Sequence, residues 1–203
     1  VITGASSGIG RAIAVAFARE GASVVVNYAR SVAGAGETVK LITAGGGSGS
    51  KIQADVSNVK DVHRLVHESK RLLGGIDIWA NIAGADILTG ATAKLEDVEK
   101  LSRLIDVDLR GTMLCSWKVA EIMRTQASGV ILNMSWDMAL AGMAERNPEM
   151  FAAIKAGVTG FTRSLARSLA PAIRVNELAP GWIATAFAEN DMDDDYRAAV
   201  IGQ

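Results

Sequence analysis

Apolar positions in this chain fall into short runs rich in β-branched residues, and these alternate with longer stretches of helical spacing. Val1-Ile2 is the first such run. Residues 23–28 are continuously apolar at their centre, as strands buried on both faces require. Residues 51–56, 76–80, 129–134 and 173–178 predict further strands. Between them, helices are predicted over 11–20, closed by Gly21, and over 33–44, closed by Gly45-Gly46-Gly47. Residues 61–73 carry an apolar stripe of Val62, Leu65, Val66 and Leu73. The stretch 95–125 reads as two helices, the second beginning near Asp108, and 148–169 as one helix with Asn147 as N-cap and Pro148 first. Alternation through short connections predicts an α/β fold: one doubly wound parallel sheet covered on both faces, in a single domain over 1–203.

Such a sheet binds its ligand outside the carboxyl ends of the strands. The first of those ends reads Thr3-Gly4-Ala5-Ser6-Ser7-Gly8-Ile9-Gly10, between an apolar run and a helical pattern. A strand that turns on glycines into a helix points unpaired backbone N–H groups at one spot, and the helix dipole adds to the pull on a phosphate. The other strand ends carry Asn27 to Arg30, Asp55-Val56, Asn81 to Gly84, Ser135 to Asp137 and Pro180 to Thr185.

Composition narrows the alternatives. A length of 203 residues suits one full core, and 49% hydrophobic with 21% charged residues describes an ordered globule. The net charge of -1 gives no electrostatic case for nucleic acid or an acidic membrane surface. A lone cysteine, Cys115, excludes an internal disulfide framework and a cysteine-based zinc site, and it reads as a small buried apolar residue. No apolar run approaches bilayer length and no leader pattern is visible, so a cytoplasmic address is expected. Val1 falls in mid-strand, which leaves room for residues before it. His63 and His67 share a helix face without a third ligand, so no metal site is expected; Asp191, Asp193, Asp194 and Asp195 read as an acidic loop.

The strand ends together resemble the short-chain dehydrogenase/reductase family. Residues 3–10 are similar to its Thr-Gly-x-x-x-Gly-x-Gly motif, Asn81-Ile82-Ala83-Gly84 to its Asn-Asn-Ala-Gly, and Pro180-Gly181-Trp182-Ile183-Ala184-Thr185 to its Pro-Gly segment. The resemblance implies a Rossmann-like nicotinamide site. It would be formed by Gly4, Ser6, Ser7, Gly8, Ile9, Gly10, Asn27, Tyr28, Arg30, Ser31, Asp55, Val56, Asn81, Ala83, Gly84, Lys155, Pro180, Gly181, Ile183 and Thr185. It also implies a carbonyl or alcohol substrate, a homodimer or homotetramer, and a substrate lid over 185–203. Family members continue into a further helix and strand that are not present after Gln203. At the end of the second strand, Asn27-Tyr28-Ala29-Arg30-Ser31 offers no carboxylate to repel a 2′-phosphate and an Arg to pair with it, so NADPH is expected over NADH.

The catalytic positions depart from the resemblance. Lys155 is kept, but Phe151 stands at the proton-donating Tyr, Asp108 at the Asn and Trp136 at the Ser, with Ser135 one residue early. A phenyl ring has no ionisable proton. The expected activity is therefore an NAD(P)-dependent oxidoreductase with a substitute donor, drawn from Asp137, Asp108, Ser135 or a water held by Lys155. The alternative is an NADP-binding sensor or non-catalytic subunit. Met138, Met143, Met150, Trp136, Trp182 and Phe187 are expected around an apolar substrate pocket.

Overall fold

The computed structural model describes residues 1–183. Helix α1 (Gly8–Arg19) is followed by β1 (Ser23–Tyr28), α2 (Val32–Ala44), β2 (Ser48–Gln53), α3 (Val59–Leu73) and β3 (Ile78–Asn81). Then come α4 (Asp97–Leu104), α5 (Thr112–Gln126), β4 (Gly129–Met134), α6 (Arg146–Leu169) and β5 (Ile173–Leu178). β1 pairs with β2, and β4 lies between β3 and β5, all in parallel register. Ile2 joins the two groups by bridging Val26 on one side and Ala80 on the other. The order across the sheet is thus β2, β1, the N-terminal segment, β3, β4, β5, with the strand order reversing beside the N-terminal segment.

Alternation along β1 shows how both faces are buried. Val25 packs with Leu65, Val119 and Met123 beneath α3 and α5, while Val24 and Val26 pack with Ala14, Ala18 and Ile42 beneath α1 and α2. A parallel sheet needs helices on both sides, because neither face of such a strand is polar.

Several boundaries differ from the sequence reading. α1 begins at Gly8, inside the glycine turn, so that turn is itself the helix N-terminus. The strand expected at 51–56 is Ser48–Gln53: the backbone of Ser48 to Ser50 pairs with Ser23 to Val25, and residues 54–56 leave the ladder. An edge strand exposes one side, so polar residues and Gly49 are tolerated there, with Ile42 of α2 covering the glycine. The 95–125 stretch is one helical run interrupted by a π-helical segment, Ile105–Gly111, and α5 starts at Thr112 rather than near Asp108. α6 begins at Arg146 after Glu145, whose φ is 82°, so Asn147 is not the cap. Pro148 still lies in the first turn, where its missing N–H costs nothing.

Candidate functional site

A cleft of about 660 Å³ opens at the carboxyl ends of the strands, between the turn into α1 and the ends of β1, β2 and β3. Two glycines make it possible. Gly4 has φ 64°, and a Cβ there would lie 2.6 Å from Ala83 Cα; a Cβ on Gly10 would lie 2.5 Å from the Gly4 carbonyl oxygen. The turn therefore lies hard against the 81–84 wall, and the first N–H groups of α1 face the cleft without intrahelical acceptors. Arg11 braces the turn from behind, donating through its guanidinium to the Ser6 carbonyl at 2.6 Å and to Thr38 Oγ1 at 3.1 Å.

Of the residues singled out from the sequence, Gly4, Ser6, Ser7, Gly8, Ile9, Gly10, Asn27, Arg30, Ser31, Asp55, Val56, Ala83 and Gly84 line this cleft. Some of them are already committed. Asn27 is buried: its Oδ1 accepts from the Gly4 N–H at 3.3 Å, and its Nδ2 donates to the carbonyls of Ala54 and Ile52. It holds the glycine turn to β2. Ser31 is the N-cap of α2, accepting from the Gly34 N–H. The Asp55 carboxylate accepts from both the N–H and the hydroxyl of Ser57.

Others lie behind the cleft. Tyr28 is buried among residues of α1, α2 and β1. Asn81 is turned into the core, where it donates to Ser116 and Asn133 and accepts from the Trp79 indole N–H. Its amide is consumed by that network, so its contribution at the wall is backbone. Pro180, Gly181 and Ile183 are outside the lining of the cleft, and Thr185 lies outside the described residues, as do Phe187 and the 185–203 segment. The sequence reading missed Arg103 and Val107, which reach the cleft from α4 and the π-helical segment, and Ala85-Asp86 just past the wall. Their signal was the run of polar and apolar positions on α4, which by itself does not separate a cleft face from a solvent face.

Neither Asp108 nor Lys155 is in the lining of the cleft; the π-helical segment, which lines it through Val107, carries Asp108 inward behind Gly84. One extra residue in the turn re-aims a side chain, which is why such segments recur at sites. Asp108 Oδ2 lies 2.8 Å from Lys155 Nζ, with the side chains 2% and 8% exposed. Asp108 Oδ1 accepts from the Ala85 N–H at 2.7 Å, and Lys155 Nζ donates to the Met134 carbonyl at 3.3 Å. The pair thus ties the wall past Gly84 to the end of β4. Ser135, a candidate proton donor from the sequence, does not face the cleft. Its buried hydroxyl lies 3.1 Å from Thr159 Oγ1 and donates to the Lys155 carbonyl under α6. Trp136 and Phe151 meet edge to face, ring centroids 6.4 Å apart. Asp137 is exposed, and its Oδ1 accepts from the Met138 N–H. Met150, expected on the substrate pocket, packs in a core cluster with Ile87, Leu104 and Ile154.

Residues 1–195 match the short chain dehydrogenase family. The chain belongs to that family. Among similar family members, a 3-oxoacyl-[acyl-carrier-protein] reductase of Synechocystis is 41% identical over 94% of this chain and 76% of its own length. The 3beta-hydroxysteroid dehydrogenase 1 of Eggerthella lenta is 38% identical over 98% of this chain and 76% of its own. A metagenomic short-chain oxidoreductase, solved in complex with NADP, superposes with a TM-score of 0.78 at 30% identity, covering 90% of this chain and 81% of its own. Lys155 lies on the long helix α6, four residues after Phe151. No helix of the described residues is long and apolar enough to cross a membrane, and no metal-binding group of His, Cys, Asp or Glu occurs among them. His63 and His67 are exposed on α3.

Proposed function

We propose that this protein is an NADP(H)-dependent oxidoreductase acting on a carbonyl or alcohol substrate, with its proton supplied from the Lys155–Asp108 pair instead of from position 151. The observation that carries the reading is the cleft itself: a helix N-terminus and two glycines that no Cβ could replace, flanked by Arg30 and by no carboxylate at the end of β1. A dinucleotide fits this donor set. Backbone N–H groups of residues 6–10 would hold its pyrophosphate, Arg30 and Ser31 its 2′-phosphate, and Asp55 and Val56 would border its adenine. The similar oxidoreductase solved with NADP supports the same choice. When bound, the nicotinamide supplies or accepts the hydride.

The chain's own residues do the rest. Lys155 has three N–H donors, of which Asp108 and the Met134 carbonyl take two. The third is available for the nicotinamide ribose or for a water that passes a proton to the substrate oxygen. Trp136 and Phe151 form an apolar surface beside it, which suits a substrate with hydrophobic bulk; the named activities of the relatives, on 3-oxoacyl and steroid groups, support that class. Exposed Trp117 on α5, in edge contact with Phe161 on α6, is the face we assign to a homodimer, and a monomeric mass in solution would reject it.

The test is titration with NADPH and NADH, followed by NADPH oxidation with 3-oxoacyl thioesters and ketosteroids. NADPH should bind more tightly, and Arg30→Ala should remove the difference. Absence of binding by either dinucleotide overturns the proposal. Tight binding without turnover on any substrate favours the second reading, a sensor or non-catalytic subunit, to which the replacement of two hydroxyl positions by touching aromatic rings already points.

A further inference from the structure

The replacements at positions 108 and 151 belong together. Phe151 and Lys155 are four residues apart on α6, so their side chains leave one face of the helix a turn apart. An isolated ammonium there would favour the ionised form of a hydroxyl at 151. This ammonium is not isolated. Asp108 lies 2.8 Å from it, both groups are nearly out of water, and the Ala85 N–H fixes the carboxylate from the other side. At position 151 the two charges then largely cancel. Other charges near α6 are the acids Glu149 and Asp97, both paired with Arg146, Glu177, which accepts from the Thr159 hydroxyl, and Asp137, whose Oδ2 lies toward Gly181. On α4, which packs against α6, Lys100 is buried and Arg103 lines the cleft, and both are common to every variant compared below.

We propose that Asp108 is a positioning residue: it locks Lys155 into a neutral pair fixed in one place for the cofactor's ribose, and this pairing, beyond the missing hydroxyl, removes acid–base work from position 151. It deepens the reading given under Proposed function and rests on it only for the ribose. Restoring a hydroxyl at 151 is then insufficient, because the Lys155 ammonium a turn away is already paired with a carboxylate.

The experiment compares Phe151→Tyr alone with Phe151→Tyr combined with Asp108→Asn, following phenol ionisation by ultraviolet absorbance in the protein without cofactor. The native protein's own Tyr titration is subtracted, and near-ultraviolet circular dichroism checks folding. In the single variant the new phenol should titrate at or above the ordinary Tyr value of about 10. In the double variant it should fall by roughly one unit or more, as an unpaired neighbouring ammonium dictates. A single variant that titrates well below that value overturns the proposal, as does a double variant that titrates like the single. The single variant keeps the native pair intact, so a depressed phenol there overturns the proposal even if the double does not fold, while the difference between the two variants separates the charge from burial, which by itself raises a phenol. NADPH titration on the same samples separates the two readings. No dinucleotide binding with the expected phenol values rejects the nicotinamide function and leaves the pairing standing. Normal binding with a phenol depressed in the single variant does the reverse.

Discussion

Gly4 is the residue on which the cleft's shape depends most directly. Its φ of 64° is one that L side chains rarely adopt, and the atoms a Cβ would strike belong to the Ala83 backbone, which cannot rotate away. Gly4→Ala should therefore cost about 1–3 kcal/mol for the left-handed conformation alone. It should also abolish dinucleotide binding, since the wall must retreat from the turn. Denaturant unfolding and cofactor titration of the variant check both outcomes; unchanged affinity would mean that the turn is not the phosphate site. The glycines were legible because geometry demands that residue type. The amides were not. Asn27 and Asn81 stand at strand ends in the sequence, which suggests groups facing a ligand, yet both are buried and fully bonded to neighbouring strands and helices. A pattern along one chain does not say which partner, protein or ligand, satisfies a polar side chain. Lys155 was placed on its helix by the sequence, but its partner Asp108 is 47 residues earlier, by subtraction of their numbers, and needed the π-helical segment to bring it there.

At the level of elements, the start of α3 shows a cap that also shapes the cleft rim. Asn58 is the N-cap, accepting from the N–H groups of Lys60 and Asp61. Asp61, in the first turn, reaches back to the Asp55 N–H at 2.9 Å and pairs with Arg64 at 2.9 Å. These bonds, the Asp55 N–H first and Arg64 second, hold its carboxyl below the ordinary aspartate value of about 3.8. A carboxylate whose folded pKa is depressed stabilises the protein fully above its unfolded pKa, and that contribution is lost as pH falls through the lower folded value. Asp61→Asn should therefore lower the urea midpoint at neutral pH, and the gap from the native protein should close as the solution is acidified below about 3.8. A gap independent of pH would show that the bond to Asp55 does not depend on the charge. Boundaries of elements were legible where packing is two-sided: β1 and β4 span 23–28 and 129–134 in both the sequence reading and the structure. They were not at the edge strand β2, where polar Ser48 to Ser50 join the ladder through backbone bonds alone.

Across the whole molecule, two halves of the sheet meet at three residues. The Ile2 N–H donates to the Val25 carbonyl and the Thr3 N–H to the Ala80 carbonyl, so the N-terminal segment is hydrogen-bonded to β1 on one side and β3 on the other. Thr3 adds a link through its side chain. Its Oγ1 accepts from the N–H groups of Ile82 at 2.9 Å and Ala83 at 3.0 Å, residues about 80 positions away in the chain. The turn into α1 and the wall opposite it are thereby set by one hydroxyl, and the cleft between them inherits its width from that contact. Thr3→Val keeps the volume and removes the oxygen, leaving two N–H groups without an acceptor at a nearly buried position. The expected loss is about 1–3 kcal/mol per orphaned group at most, as for other buried donors deprived of a partner. Dinucleotide affinity should fall together with stability, because the two walls lose their common anchor. If chemical denaturation shows the loss but titration shows full affinity, the cleft is held open by the α1–β1 side alone. If neither moves, the sheet ladder around Ile2 is sufficient without the hydroxyl.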